Sequence, residues 1–172
     1  MARKPGSRAS AASIFRAALV SAGIKPRALT ERRIGELWTQ FGGVYEGLGG
    51  LWRAHDRGGV TFDDYEYLPA EAALGEWQAM KNARDEFFAT TPWTGPVDAG
   101  VRPLFWHDDW KPFARDGHGG LVCVDLAPTE QGNGGQVIFV GRDPDLRVVL
   151  GFSLRLWIAE VTINVVPCPG EI

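Results

Sequence analysis

Three short runs rich in Val, Ile and Leu, residues 121–126, 136–141 and 146–152, follow one another with only turn-forming residues between them. No other feature restricts the fold as much, because short β-branched runs bounded by glycine and proline are strands. The first gap, residues 127–135, carries Pro128, Gly132, Asn133, Gly134 and Gly135, which supply a turn with positive φ. Strands joined by such turns run antiparallel, so the second half of the chain is predicted to hold a meander.

Upstream, the apolar spacing becomes helical. Thr30 and Glu31 stand before Ile34, Leu37, Trp38 and Phe41, an N-cap with an acid in the first turn, and Gly42-Gly43 ends or bends that helix. A weaker pattern, Leu48, Leu51 and Trp52, marks a short helix over 48–55. The clearest helix starts at Pro69 and is expected to present Ala73, Leu74, Trp77, Met80, Phe87 and Phe88 to a core. Residues 90–107 hold three prolines and two glycines without a period and read as a long connection. Ser153 caps a last segment whose Leu154, Trp157, Ile158 and Val161 recur at helical spacing, although Leu154, Leu156 and Ile158 also alternate as a strand would. Helices, then strands, then a helix predict an α+β fold, with helices packed on one face of a small antiparallel sheet in a single domain.

With 45% apolar and 23% charged residues among 172, the chain has globular composition and enough length for a genuine core. The domain is expected over residues 30–165, preceded by a basic arm over 1–29, mobile or loosely helical, and followed by a tail over 166–172. Arg3 and Lys4 before an apolar stretch invite a secretory-leader reading, but Arg16, Ser21 and Gly23 interrupt the stretch and no small-x-small cleavage site follows. Cys123 and Cys168 form neither a disulfide framework nor a C-x-x-C pair, which points to a reduced, cytoplasmic setting. No run approaches the roughly 20 apolar residues of a membrane helix. The net charge of −3 divides into +7 over residues 1–33 and −10 over the rest. An acidic body disfavours direct nucleic-acid binding and can steer in a basic protein, although solubility alone also accounts for it.

His55-Asp56, His107-Asp108-Asp109 and Asp116-x-His118 are the only clusters suited to metal binding or acid/base work, and none has diagnostic spacing. The G-x-S-x-G and Walker motifs are absent, and Gly117, Gly119 and Gly120 precede a strand rather than a helix, which argues against a dinucleotide loop. No catalytic residue, metal or cofactor is therefore expected. Six carboxylates, Asp56, Asp63, Asp64, Glu66, Glu71 and Glu76, fall within twenty-one residues opposed only by Arg57. They form either a solvated loop and helix start or a negative face with interleaved aromatics. On the second reading Asp56, Phe62, Asp63, Asp64, Tyr65 and Glu66 are the candidate partner-binding residues.

Separate blocks along the chain carry a resemblance. Trp110-x-Pro112-Phe113-Ala114-x-Asp116-Gly117-His118-Gly119-Gly120 running into 121–126, then Gly135-Gln136-Val137-Ile138, then Ser153 with Trp157, resembles the signature of the Smi/Knr group of the SUKH superfamily. Residues 51–56 resemble that group's helix ending in a histidine turn, and 67–77 the entry to its second main helix. The likeness spans about 34–160. It implies a SUKH-like α+β domain that binds other proteins. Fungal relatives regulate cell-wall assembly, and many bacterial ones are immunity proteins that neutralise polymorphic toxins, often nucleases. His118 stands where the group usually has a glycine, and Gly120 where it has Asp or Asn. The expectation placed first is a non-enzymatic immunity protein whose partner is a cognate, basic toxin domain. An adaptor or regulator in cell-wall or envelope assembly is the alternative.

The matching residues read as mainly structural. Trp110, Pro112 and Phe113 are expected to cover the sheet edge, and Gly117, Gly119 and Gly120 to turn the chain into a strand. Asp125 should accept hydrogen bonds from the turn at 132–135 or face solvent, because a buried unpaired carboxylate is costly.

Overall fold

The computed structural model describes residues 8–43 and 45–166, so residues 1–7, Cys168 and nearly all of the tail over 166–172 lie outside the described residues. Within it, α1 (Ala11–Ser21), α2 (Glu31–Gln40) and α3 (Glu46–Ala54) precede a hairpin of β1 (Val60–Phe62) and β2 (Tyr65–Tyr67). Helix α4 (Ala70–Ala83) runs into a π-helical turn at Arg84–Phe88, and then come β3 (Trp110–Arg115), β4 (Leu121–Asp125), β5 (Gln136–Val140), β6 (Arg147–Gly151), α5 (Leu154–Glu160) and β7 (Ile163–Val165). The strands form one antiparallel sheet in the order β6-β5-β4-β3-β2-β1-β7. The α+β class, the meander and the single domain agree with the reading above.

Local chemistry sets the helix starts. Ser10, Thr30 and Ser153 each accept a backbone N–H of the first turn, from Ser13, Arg33 and Leu156. The alternation of Leu154, Leu156 and Ile158 loses to this cap, and the last segment is a helix before it is a strand. Pro69 has no side-chain acceptor, and Asp56 supplies one from outside, taking the Ala70 N–H at 2.8 Å.

Three expectations change. Residues 11–21, assigned to a loose arm, are a helix whose Phe15 and Leu19 are fully buried. The Ala-, Ser- and Arg-rich composition of residues 1–29 hid one apolar stripe, Ala11, Phe15 and Leu19, at helical spacing. Trp110, Pro112 and Phe113 do not cover a sheet edge, because β3 is the middle strand of seven and all three are buried. Pro112 cannot donate to the ladder, and the register shifts between Pro112 and Ala114 to absorb it.

Every residue of β4 is buried, so both faces of the central sheet are covered. Carbonyls of the 89–109 connection meet Gln136 and Arg147 on one side, and Trp157 of α5 packs by Gly151 on the other. Aromatic rings join the layers: Phe15 lies 5.4 Å from Phe62 and 5.1 Å from Tyr67, and Trp157 lies 5.7 Å from Phe62 and 5.5 Å from Phe113. Phe87, expected in the core, is 64% exposed, because the π-helical turn rotates it off the buried stripe while Phe88 stacks on Phe105.

Candidate functional site

The predicted partner face divides once folded. Phe62 is fully buried among Phe15, Tyr67, Phe113 and Trp157, so it cannot touch a partner, a correction its place in an acidic run concealed. Asp56 is half-buried as the cap of α4. Asp63 is exposed but holds the β1–β2 turn: it sits at φ 52°, its carboxylate accepts Thr162 N–H at 2.8 Å, and its own N–H donates to the Thr162 carbonyl at 2.7 Å. Tyr65 is half-buried between the rings of Phe139 and Trp157. Burial pushes its hydroxyl pKa up, and Asp116, Asp63 and Asp64 push it further.

The remaining carboxylates are largely engaged inside the molecule. Glu66 and Glu76 both bind the Arg115 guanidinium, at 2.8 and 3.0 Å, and Glu71 binds Arg33. Of the six acids in the run, Asp64 alone makes neither an ion pair nor a hydrogen bond among the described residues. A free negative face is therefore much smaller than the composition suggested. Replacing Asp63 by alanine should cost about 1 kcal/mol, through the lost acceptor and the left-handed backbone, whereas Asp64→Ala should leave the urea midpoint within about 0.5 kcal/mol.

The histidines occupy structural positions. His55 is buried at the end of α3, its Nδ1 accepts Arg27 N–H at 3.1 Å, and its carbonyl accepts the Tyr67 hydroxyl at 2.8 Å. His107 Nδ1 accepts Asp109 N–H at 3.0 Å, and His118 is exposed on the β3–β4 turn. No group of three or more His, Cys, Asp or Glu among the described residues is placed to hold a metal ion. In that turn Asp116 accepts the N–H groups of His118 and Gly120, both at 2.8 Å. Gly119 adopts φ +85°, and a Cβ on Gly120 would stand 2.5 Å from the Phe139 ring, so Asp or Asn could not replace Gly120 without displacing that ring.

Desolvation lowers the His55 pKa from the ordinary 6.5. A group held neutral by folding contributes stability that is complete above pH 6.5 and lost as pH falls through the lower folded value. Urea midpoints measured down a pH series should therefore converge between wild type and His55→Gln at acidic pH and separate at neutral pH.

Of three charged interior groups, Asp125 was singled out from the sequence and Arg147 and Lys111 were not. Arg147 is 1% exposed and donates to the carbonyls of Leu104, Phe105, Gly141 and Leu146 and to Asp145, at 2.9 to 3.1 Å. Its guanidinium stacks 4.4 Å from the Trp93 ring centroid, and burial lowers its pKa. Lys111 is 2% exposed, donates to Phe41 and Asp108 carbonyls at 2.6 and 2.8 Å, and lies over Trp77; burial lowers its pKa too. Asp125 is fully buried and accepts Ala127 N–H and the Gln136 amide, both at 2.9 Å. The turn at 132–135 reaches its backbone carbonyl, through Gly135 N–H, rather than its carboxylate as expected. Burial raises the Asp125 pKa, while Gln136 and Ala127 oppose the rise. The Trp110 indole also favours the charged form, without a hydrogen bond of normal geometry.

Cys123 is buried, with its thiol pushed well up by desolvation, and no hydrogen bond links it to a base. Each buried charge is spent on holding loops to the sheet. What the surface offers is an open cleft of about 750 Å³ between residues 22–27, residues 55–60 and β7, and another of about 660 Å³ between the π-helical turn and residues 103–107. No helix among the described residues is long and apolar enough to cross a membrane.

Comparison with known proteins gives this surface a context. A protein-family model, the SMI1/KNR4 family (SUKH-1), matches residues 35–160. The chain is 33% identical over 113 residues to the cell wall biosynthesis/cell cycle regulator smi1 of Schizosaccharomyces pombe, covering 62% of this chain and 22% of that protein. It is 38% identical over 63 residues to the glucan synthesis regulatory protein of Neurospora crassa, covering 37% of this chain and 12% of that protein. Over 55 residues it is 40% identical to KNR4/SMI1 homolog 2 of Debaryomyces hansenii, covering 32% and 9%. The chain thus spans less than a quarter of the length of these curated relatives. The matched region runs from α2 to the end of α5, through the capped α4, the bulged β3 and the Asp116 turn. On that extent of agreement the chain belongs to the SMI1/KNR4 family (SUKH-1).

Proposed function

We propose that this chain is a non-enzymatic protein-binding domain that serves as an adaptor or regulator in cell-wall or envelope assembly. The observation that carries this reading is the family match over residues 35–160, together with the names of the fungal relatives, regulators of wall biosynthesis and glucan synthesis. The internal use of the buried charges supports it, because Arg147 and Lys111 are committed to backbone carbonyls and Asp125 to the Ala127 N–H and the Gln136 amide rather than to a cavity. The names favour regulation over the toxin-neutralising role that the sequence reading put first. A regulator of this kind would act by occupying a partner's surface, which needs complementary shape and edge chemistry but no reacting group.

The test is deletion of the gene in its own organism. Cells lacking it should become sensitive to wall-weakening enzymes, and the chain expressed from a plasmid should restore resistance. Loss of viability that depends instead on a toxin gene beside it would replace regulation with immunity.

A further inference from the structure

The sheet has two outer edges, and they are treated differently. On β6, Arg147 N–H donates to the Pro96 carbonyl, Asp98 N–H to the Arg147 carbonyl, and Val149 N–H to the Asp98 carboxylate at 2.8 Å. Val97 adds a parallel bridge to Arg147, so that edge is closed by the chain itself. On β7 the pairing with β1 places Val60 opposite Val165, Thr61 opposite Asn164 and Phe62 opposite Ile163. Asp63 N–H donates to Thr162 and Val166 N–H to Gly59, so the bonded positions on β7 are 162, 164 and 166. By antiparallel alternation Ile163 and Val165 turn their N–H and C=O away from β1. Among the described residues no donor or acceptor meets them.

The cleft of about 750 Å³ adjoins this open edge, with Val165 and Val166 in one wall. Lys25, Arg27 and Arg57 line the others, all exposed and all without a carboxylate partner among the described residues, in contrast to Arg33, Arg53, Arg84 and Arg115. The carboxylate nearest in sequence, Asp56, does not line the cleft and is taken by Ala70 N–H. At the end of α1 the carbonyls of Ala18, Leu19 and Val20 already accept Ala22, Ile24 and Gly23 N–H. The His55–Arg27 bond holds the basic wall in place at 3.1 Å. Of the segments that line the cleft, 22–27 and 165–166 lie outside the stretch the family model matches, and 55–60 lies inside it.

We infer that β7 and its basic cleft bind an acidic, extended segment of a partner protein, which adds a strand to the sheet through Ile163 and Val165 while Lys25, Arg27 and Arg57 take its carboxylates. This rests on the reading of the chain as a protein-binding domain and names where and what it binds.

The probe is a capped, fluorescein-labelled peptide of alternating glutamate and valine, titrated into the isotope-labelled full chain. Binding should move the amide signals of Ile163 and Val165 and of residues 23–27 and 57–60. The double variant Lys25→Glu, Arg57→Glu should weaken binding by about tenfold or more at low salt. Val165→Pro removes an outward N–H but no bond to β1, and should abolish binding. The charge variant, altered only at exposed side chains, decides the matter should Val165→Pro unfold. Equal binding of a lysine–valine peptide, signal changes confined to other surfaces, or no binding would overturn the inference. So would a second copy of the chain occupying the edge, seen as a concentration-dependent rise in mass, or identical amide changes on removal of residues 167–172. Deletion rescue separates the two readings: if the wild-type chain rescues wall sensitivity but no peptide binds at β7, the edge assignment falls and the regulatory reading stands.

Discussion

Arg147→Ala is expected to destabilise the domain by about 3–5 kcal/mol, because it removes a fully buried guanidinium and strands several carbonyls at once. The side chain joins four loop and turn carbonyls to Asp145 and stacks on Trp93, whose own N–H bonds Asp145 at 3.0 Å. Removing it leaves Leu104, Phe105 and Gly141 carbonyls in a water-poor site and a void beside Trp93. Arg147→Lys should recover only part of the loss, since an ammonium offers three donors where the planar guanidinium fork offers five. Urea titration checks this: the midpoint should fall sharply for Ala and less for Lys. A change below about 1 kcal/mol for Ala would mean the connection 89–109 is held by apolar contact alone.

Phe15→Ala should cost about 3–5 kcal/mol, as a buried aromatic ring lost from a packed cluster does. Its ring meets Phe62, Tyr67 and His55 at 5.4, 5.1 and 6.3 Å. Arg16→Ala, one position away on the exposed side of the same helix, should stay within about 0.5 kcal/mol. Thermal unfolding of the pair distinguishes a helix that completes the core from an arm laid over it. Equal, small shifts would restore the loose-arm reading. The result also bears on the basic cleft, because α1 leads directly into the wall that carries Lys25 and Arg27.

Much of the architecture was legible because its signals are local. Strands β4, β5 and β6 announce themselves by β-branched runs between turn residues, α2 and α5 by a capping hydroxyl before an apolar stripe, and α4 by its period after Pro69. Strands β1, β2 and β7 span three residues each, too few for a period to emerge. Strand β3 was masked by Pro112 and by Lys111, a charge that turns out to be buried. The candidate face failed at Phe62 for a related reason: an acidic neighbourhood in the chain does not say which side of a hairpin a ring takes. Arg115, Arg33 and Asp56 then showed that carboxylates close in sequence find partners far from it.

Composition, period and capping chemistry thus determined the class of fold and the meander, since each depends on residues within a turn or a strand of one another, while the resemblance to the family rested on its motif blocks. Tertiary structure alone decided which charges are buried, which strand is central and which edge stays open. Those depend on pairings between distant segments, such as β1 with β7 or Arg147 with residues 104 and 105, whose desolvation and hydrogen bonding no local pattern encodes.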